Sequence, residues 1–262
     1  MITGTTRIVP IVGHPVAQVH SPRPANAWLR ARDLDAAMIA MDIAPDAIEG
    51  FFAMLRGWGN CAGCSITLPH KQAALTAMDR VSPRCARIGA VNTIRRTPDG
   101  RFEGEMTDGL ALCAALEEAG HPVAGMTVAL AGAGGGAGAA IADALAEQGA
   151  AAIHLIEPDA GRLSRLRAML AATWPDTALP QGAPATVDIA INASPMGMDP
   201  ADPLPLSPAI LRPGGAAADA VTKPQMTRFL RAAHDRGMTV VTGAAMAEAQ
   251  LRFQMAHWGL AG

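Results

Sequence analysis

The segment Cys64-Ser65-Ile66-Thr67-Leu68-Pro69-His70-Lys71 places a single ammonium just beyond a strand tip. The β-branched alternation over 65–68 predicts the end of a strand. Pro69 then stops the ladder or opens a helix at its first turn. On its own, a lysine at that spot reads as a solubilising surface charge. A second stretch carries chemistry more openly. In Ala-Gly-Ala-Gly-Gly-Gly-Ala-Gly, residues 131–138, Gly132, Gly134 and Ala137 form a G-x-G-x-x-G/A pattern, with Gly135 and Gly136 inside the same turn. Gly132 permits the tight turn, Gly134 lets a pyrophosphate approach the backbone, and a small third residue lets helix and strand pack closely. The pattern follows a strand-like run and precedes a helix-like one, the context that dinucleotide binding requires.

The end of the following strand bears on which dinucleotide. Glu157 stands where a carboxylate accepts hydrogen bonds from adenosine ribose hydroxyls, with Asp159 two residues on. A 2′-phosphate there would face two carboxylates, and Arg162 in the next helix is the only nearby guanidinium. The residues therefore predict NAD in preference to NADP.

Composition narrows the remaining choices. The 262 residues are 50% hydrophobic with a net charge of −2, enough for one large domain or two smaller ones. With 3% aromatics, no tyrosine and no basic excess, a nucleic-acid partner is not expected. The four cysteines make no disulfide framework, which points to a reducing cytoplasm. Cys61 and Cys64 form a CxxC without a second pair at zinc-ribbon spacing, so core or loop thiols are expected and no metal or redox role. The first residues show no signal-peptide pattern, and glycines and acids interrupt the apolar stretch over 126–156, so no membrane span is expected.

The elements that must hold these groups follow from periodicity. Strands are predicted at Arg7–Gly13, over 36–43 and over 61–67. Between them lie two helices, one with Ser21 as candidate cap and Pro22 in its first turn, the other with Phe51, Phe52, Leu55 and Trp58 at helical spacing. A hairpin is predicted around Pro98-Asp99-Gly100, then a helix from Thr107 or Asp108 to Gly120. From residue 126 a strand–turn–helix–strand unit begins, followed by apolar runs at 187–194, 214–221 and 237–243. Such alternation predicts a parallel sheet wrapped by helices. The expected division is a domain over 1–108, completed by a C-terminal helix within 241–262, and a second domain over 109–240.

Taken in order, the motifs resemble the shikimate dehydrogenase family. Ser65-Ile66-Thr67-Leu68-Pro69-His70-Lys71 matches its Asn-Val-Thr-x-Pro-x-Lys, and Gly89-Ala90-Val91-Asn92-Thr93 its Gly-Ala-Val-Asn-Thr. Met106-Thr107-Asp108-Gly109 resembles its Asn-Thr-Asp-Gly, residues 192–198 its Asn-Ala-Thr/Ser-x-x-Gly-Met, and residues 242–250 its closing segment ending in Gln250. The resemblance implies an α/β enzyme with an N-terminal α/β substrate domain, a Rossmann-like dinucleotide-binding domain and a cleft between them. It implies Lys71 and Asp108 as the catalytic pair, which relays the proton of a ring hydroxyl as hydride leaves its carbon and stabilises the developing alkoxide. It further implies Ser21, Thr67, Asn92, Thr222 and Gln250 as substrate ligands. Beside the glycine turn, Glu157 and Asp159, it implies Asn192, Ser194, Met196 and Gly243 as cofactor contacts.

The sequence also departs from the family. Val19 replaces the first serine of a Ser-x-Ser pair, Thr222 replaces a tyrosine, Ser65 and Met106 replace asparagines, and Glu157-Pro158-Asp159 replaces a 2′-phosphate-reading Asn-Arg-Thr/Ser. The hydroxyl-handling half is kept and the carboxylate-holding half is thinned. The reading is an NAD(P)-dependent dehydrogenase acting on shikimate or a related cyclic polyol, as monomer or homodimer. A paralogue with another substrate and a non-catalytic dinucleotide sensor are the alternatives. Retention of Lys71 and Asp108 speaks against the sensor.

Overall fold

The computed structural model describes residues 2–261, which form two compact units. The first takes the chain up to Thr107 and again from Leu251 onward; the second runs from Asp108 to Gln250.

In the first unit, β1 (Arg7–Gly13), α1 (Pro22–Ala31), β2 (Ala36–Asp42), α2 (Ile48–Gly57) and β3 (Gly63–Ile66) alternate. There follow α3 (Lys71–Thr76), β4 (Arg80–Val81), α4 (Pro83–Ile88), β5 (Thr93–Arg96) and β6 (Phe102–Glu105). The sheet order is β2-β1-β3-β5-β6-β4, parallel through β2, β1 and β3 and antiparallel where β5 meets β3 and β6. β1 and β3 are buried over most of their length, and β1 accordingly reads as an almost continuous apolar run. Leu251, Met255 and Trp258 pack with Val9, Ile11, Leu29 and Ala62, so the chain's last residues complete this core. Two local expectations change. Ser21 sits at the N-terminus of α1 but its hydroxyl does not cap the helix, and residues 45–47 form a separate 3₁₀ turn before α2.

The second unit begins with α5 (Asp108–Glu118) and continues with β7 (Thr127–Ala131), α6 (Gly136–Glu147), β8 (Ala152–Ile156) and α7 (Ala160–Thr173). β9 (Val187–Asn192), β10 (Leu211–Asp219), α8 (Arg228–His234), β11 (Thr239–Val241) and α9 (Gly243–His257) complete the set, the end of α9 belonging to the first unit. All strands are parallel in the order β11-β10-β9-β7-β8. The chain leaves β7 for β8 on one side and then returns to β9 on the other. That reversal is a topological switch point, and ligands of such sheets bind beyond its strand ends. Among the described residues no helix is long and apolar enough to cross a membrane.

Candidate active site

Thr67 on the loop after β3, Lys71 at the start of α3 and Asn92 just before β5 are the residues of the first unit expected to handle hydroxyls. Thr67 N–H donates to the Val12 carbonyl at 2.8 Å, and Leu68 accepts from His14 N–H at 3.0 Å, so the lysine loop is tied to the tip of β1. Gly13 is required there, because a Cβ would overlap the Thr67 methyl and crowd the Leu68 carbonyl. His70 is buried, and its Nε2–H donates to the Ile43 carbonyl at 2.7 Å, anchoring the residue before Lys71. Lys71 opens α3, half-buried, and its carbonyl accepts the Val91 N–H at 2.9 Å. The Asn92 carbonyl accepts the Ile66 N–H at 2.7 Å. Backbone bonds thus join the segments that carry Thr67, Lys71 and Asn92.

Asn92 is buried, and its Oδ1 accepts three donors: Thr107 N–H at 2.9 Å, the Thr93 hydroxyl at 2.9 Å and the Thr107 hydroxyl at 3.2 Å. The acceptor end of the amide is therefore saturated and its orientation fixed. Val19 stands apart from this polar group. It is half-buried and packs against the apolar cluster of Val9, Leu29 and Trp258. Cys61 and Cys64 are core thiols. Burial pushes Cys61 up to about 11 and Cys64 well above the usual thiol range, so neither is poised for redox work.

In the second unit, Asp108 is the first residue of α5 and is buried, and its Oδ1 accepts the Gln250 amide N–H at 2.5 Å. Two residues implied by separate motifs meet here.

The glycine turn lies at the switch point. Gly132 has φ +72°, and a Cβ on it would lie 2.6 Å from the Ser194 nitrogen, so the turn after β7 and the loop after β9 touch. Over Gly134 lie the Glu157 and Arg162 side chains, at 2.8 and 2.7 Å from where its Cβ would be. Ala137 is not the residue of closest helix–turn approach. Gly138 is, since its Cβ would collide with the Gly132 carbonyl. Gly109 likewise lets α5 lie against Ala140 of α6. The sequence pattern missed both; the glycine run hid the first, and the second needed knowledge of which helices pack. Gly135 sits at the N-cap position of α6, its N–H donating to the Gly132 carbonyl at 3.2 Å, and Gly136 opens that helix. A turn that excludes a Cβ at Gly132, Gly134 and Gly138, at a helix N-terminus and a switch point, fits a dinucleotide pyrophosphate.

Asn192, buried at the end of β9, staples the loop after it. Its Oδ1 accepts Ser194 N–H at 3.0 Å and the Ser194 hydroxyl at 2.6 Å, and its Nδ2 donates to the Met196 carbonyl at 2.8 Å. Met196 is exposed. Asn192 Nδ2 also donates to Asp219 at 3.0 Å, a carboxylate that sequence reasoning overlooked. Asp219 further accepts Val221 N–H at 2.9 Å and the Thr227 hydroxyl at 2.7 Å. Burial outweighs these bonds and raises its pKa to about 6. A lone acid closing the run Gly-Gly-Ala-Ala-Ala-Asp was the available signal. Thr222 is exposed beside this network, and Gly243 lets the start of α9 approach the Val221 carbonyl.

Glu157 and Asp159 are not held as the NAD expectation assumed. Glu157 Oε2 accepts the Gly134 N–H at 2.9 Å and Oε1 the Asp159 N–H at 3.1 Å. Asp159 caps α7 through the Arg162 N–H at 2.8 Å, which lowers its pKa. Both carboxylates are committed to backbone donors, while the Arg162 side chain starts directly over the glycine turn.

These features define a two-unit α/β protein whose second unit is a dinucleotide-binding fold. The family model of the shikimate dehydrogenase substrate binding domain matches residues 11–94. A shikimate dehydrogenase (NADP(+)) of Rubrobacter xylanophilus is 36% identical over 252 residues, covering 94% of this chain and 88% of the relative. The crystal structure of shikimate 5-dehydrogenase from Listeria monocytogenes in complex with shikimate and NAD superposes with a TM-score of 0.89 at 27% identity, covering 98% of this chain and 93% of that one. Ligand-free 5-ketofructose reductase of a Gluconobacter strain gives 0.87 at 28%, covering 97% and 92%. The chain belongs to the shikimate dehydrogenase family of NAD(P)-dependent oxidoreductases. The predicted preference for NAD is corrected by the same comparisons. Curated relatives at 33–37% identity are NADP(+) enzymes. In this structure Glu157 and Asp159 already accept backbone N–H groups, and the Arg162 side chain starts over the glycine turn.

Proposed function

We propose that the protein catalyses the reversible NADP(+)-dependent oxidation of a ring hydroxyl on shikimate or a closely related cyclic polyol. The observation that carries this reading is the retention of Thr67, Lys71 and Asn92 on segments tied to one another in the first unit, and of Asp108 bonded to Gln250 in the second. The bound nicotinamide supplies a hydride acceptor. The chain's own residues supply the rest. As the carbinol C–H bond gives up its hydride, the O–H proton is relayed, Lys71 taking it up as the ammonium gives one of its own protons to the Asp108 carboxylate, yielding a ketone. The Lys71 ammonium stabilises negative charge developing on that oxygen. Asn92, with its Oδ1 saturated, and Thr67 orient the ring hydroxyls, and Gln250 orients the Asp108 carboxylate. Arg162, rooted over Gly134, is assigned to the 2′-phosphate.

A second substrate reading has its own support. Val19 is turned into the apolar core and Thr222 is a shorter hydroxyl than the family's tyrosine, so a substrate carboxylate finds two fewer donors. Likeness to a ketofructose reductase is in keeping with a polyol that lacks a carboxylate. The test is absorbance of the reduced nicotinamide with NADP(+) and a panel of shikimate, quinate and uncharged cyclic polyols. Turnover of shikimate supports the first reading and turnover of an uncharged polyol alone supports the second. No turnover of any ring alcohol overturns both.

A further inference from the structure

Gln254 lies one helical turn beyond Gln250 on α9 and is 4% exposed, yet no motif of the sequence claims it. Its Nε2 donates to the Ser65 hydroxyl at 3.1 Å and reaches the Thr93 hydroxyl at 3.5 Å. Thr93 in turn donates its own proton to Asn92 Oδ1 at 2.9 Å. Ser65 stands where the resembling motif has an asparagine, a side chain that would carry its own amide into this space.

We propose that Gln254 is a positioning residue for substrate binding, supplying from α9 the carboxamide that position 65 lacks. The physical reason is proton direction. A threonine hydroxyl has one proton and two acceptor lone pairs. With the Gln254 N–H spent on a Thr93 lone pair, the Thr93 proton is left for Asn92 Oδ1. That bond, with the two from Thr107, decides which end of the Asn92 amide is the acceptor. Gln254 thus supports, through Thr93, one of the three bonds that hold Asn92 in place. A buried glutamine also satisfies the Ser65 hydroxyl, which is 5% exposed and costly to leave unpaired. The assignment rests on the reading of Asn92 as a substrate ligand.

The test uses Gln254→Met, close in volume, and the double variant Ser65→Asn with Gln254→Ala. Steady-state kinetics are measured with the best ring alcohol from the panel, together with thermal unfolding. Gln254→Met is expected to raise KM for the ring alcohol about tenfold, the worth of one to two neutral hydrogen bonds. KM for NADP(+) should stay within about twofold. The double variant should recover KM to within about threefold, because an asparagine at 65 returns the amide. A Gln254→Met enzyme with unchanged KM, or a double variant no better than Gln254→Ala alone, overturns the proposal. If both variants unfold, Thr93→Val, which removes the hydroxyl linking Gln254 to Asn92, replaces them; a Thr93→Val enzyme that folds with parental KM overturns it equally. A parent inactive on the whole panel overturns the functional reading first, and this assignment with it.

Discussion

Gln250 and Asp108, 142 residues apart in sequence, meet in a 2.5 Å hydrogen bond from the amide N–H to Oδ1. A buried carboxylate at the first position of α5 is held there by a residue of α9, so the carboxylate has one orientation. Asp108→Asn should lower kcat by about 10²–10⁴-fold, the usual worth of a positioned proton acceptor. Gln250→Leu should lower kcat/KM by roughly 10–100-fold, matching one hydrogen bond to a charged group. Circular dichroism checks that both remain folded, and an Asp108→Asn enzyme with parental kcat contradicts the assignment.

Arg162 offers a second prediction. Its removal should weaken NADP(+) far more than NAD, because only the former carries the 2′-phosphate that a guanidinium reads. Arg162→Ala is expected to raise KM for NADP(+) about 10–100-fold while NAD changes less than about threefold. Equal effects on both cofactors would assign the arginine to the turn's structure.

Gly138 tests the cradle by sterics. Its absent Cβ would strike the Gly132 carbonyl, a backbone atom that cannot swing aside. Gly138→Ala should therefore cost about 1–3 kcal/mol in urea unfolding, as overpacking does. Gly50, inside α2 with open space around it, provides the contrast: Gly50→Ala should stabilise by about 0.5–1 kcal/mol. Equal responses of the two variants would contradict the packing account.

Asp219 gives a pH dependence of defined sign. Its folded pKa of about 6 lies above the unfolded value of 3.8, so the native state binds more protons through that window. Its contribution is fully present below pH 4 and is lost as pH rises through 6, a difference of roughly 3 kcal/mol. Asp219→Asn removes this term. The stability gap between parent and variant, by urea titration at pH 4 and at pH 7.5, should shift toward the variant at the higher pH. Parallel pH profiles would show that Asp219 does not titrate in this range.

Much of this arrangement was legible because period and punctuation agree. β1, β7 and β9 are apolar runs ended by Gly13, Gly132 and Asn192, and each of those residues is where a loop of the site begins. What was missed depends on partners distant in sequence. Nothing near Gln254 announces that Ser65 and Thr93 await its amide. Nothing local to Asp219 shows that Asn192 and Thr227 converge on it. Glu157 misled for the same reason: the carboxylate is visible in the sequence, but its bond to the Gly134 N–H exists only once β8 is laid beside β7. The short α3 and α4 have too few residues for a period to show.

The central claim is that Lys71 handles the proton of a ring hydroxyl as its carbon is oxidised. The most direct measurement is kcat for NADP(+) reduction by the best substrate of the panel, parent against Lys71→Ala, under saturating cofactor. The account predicts a fall of about 10²–10⁴-fold with the fold intact, since a half-buried side chain at the start of α3 adds little to the core. A Lys71→Ala enzyme that turns over at the parental rate would contradict it and return that lysine to an ordinary surface charge.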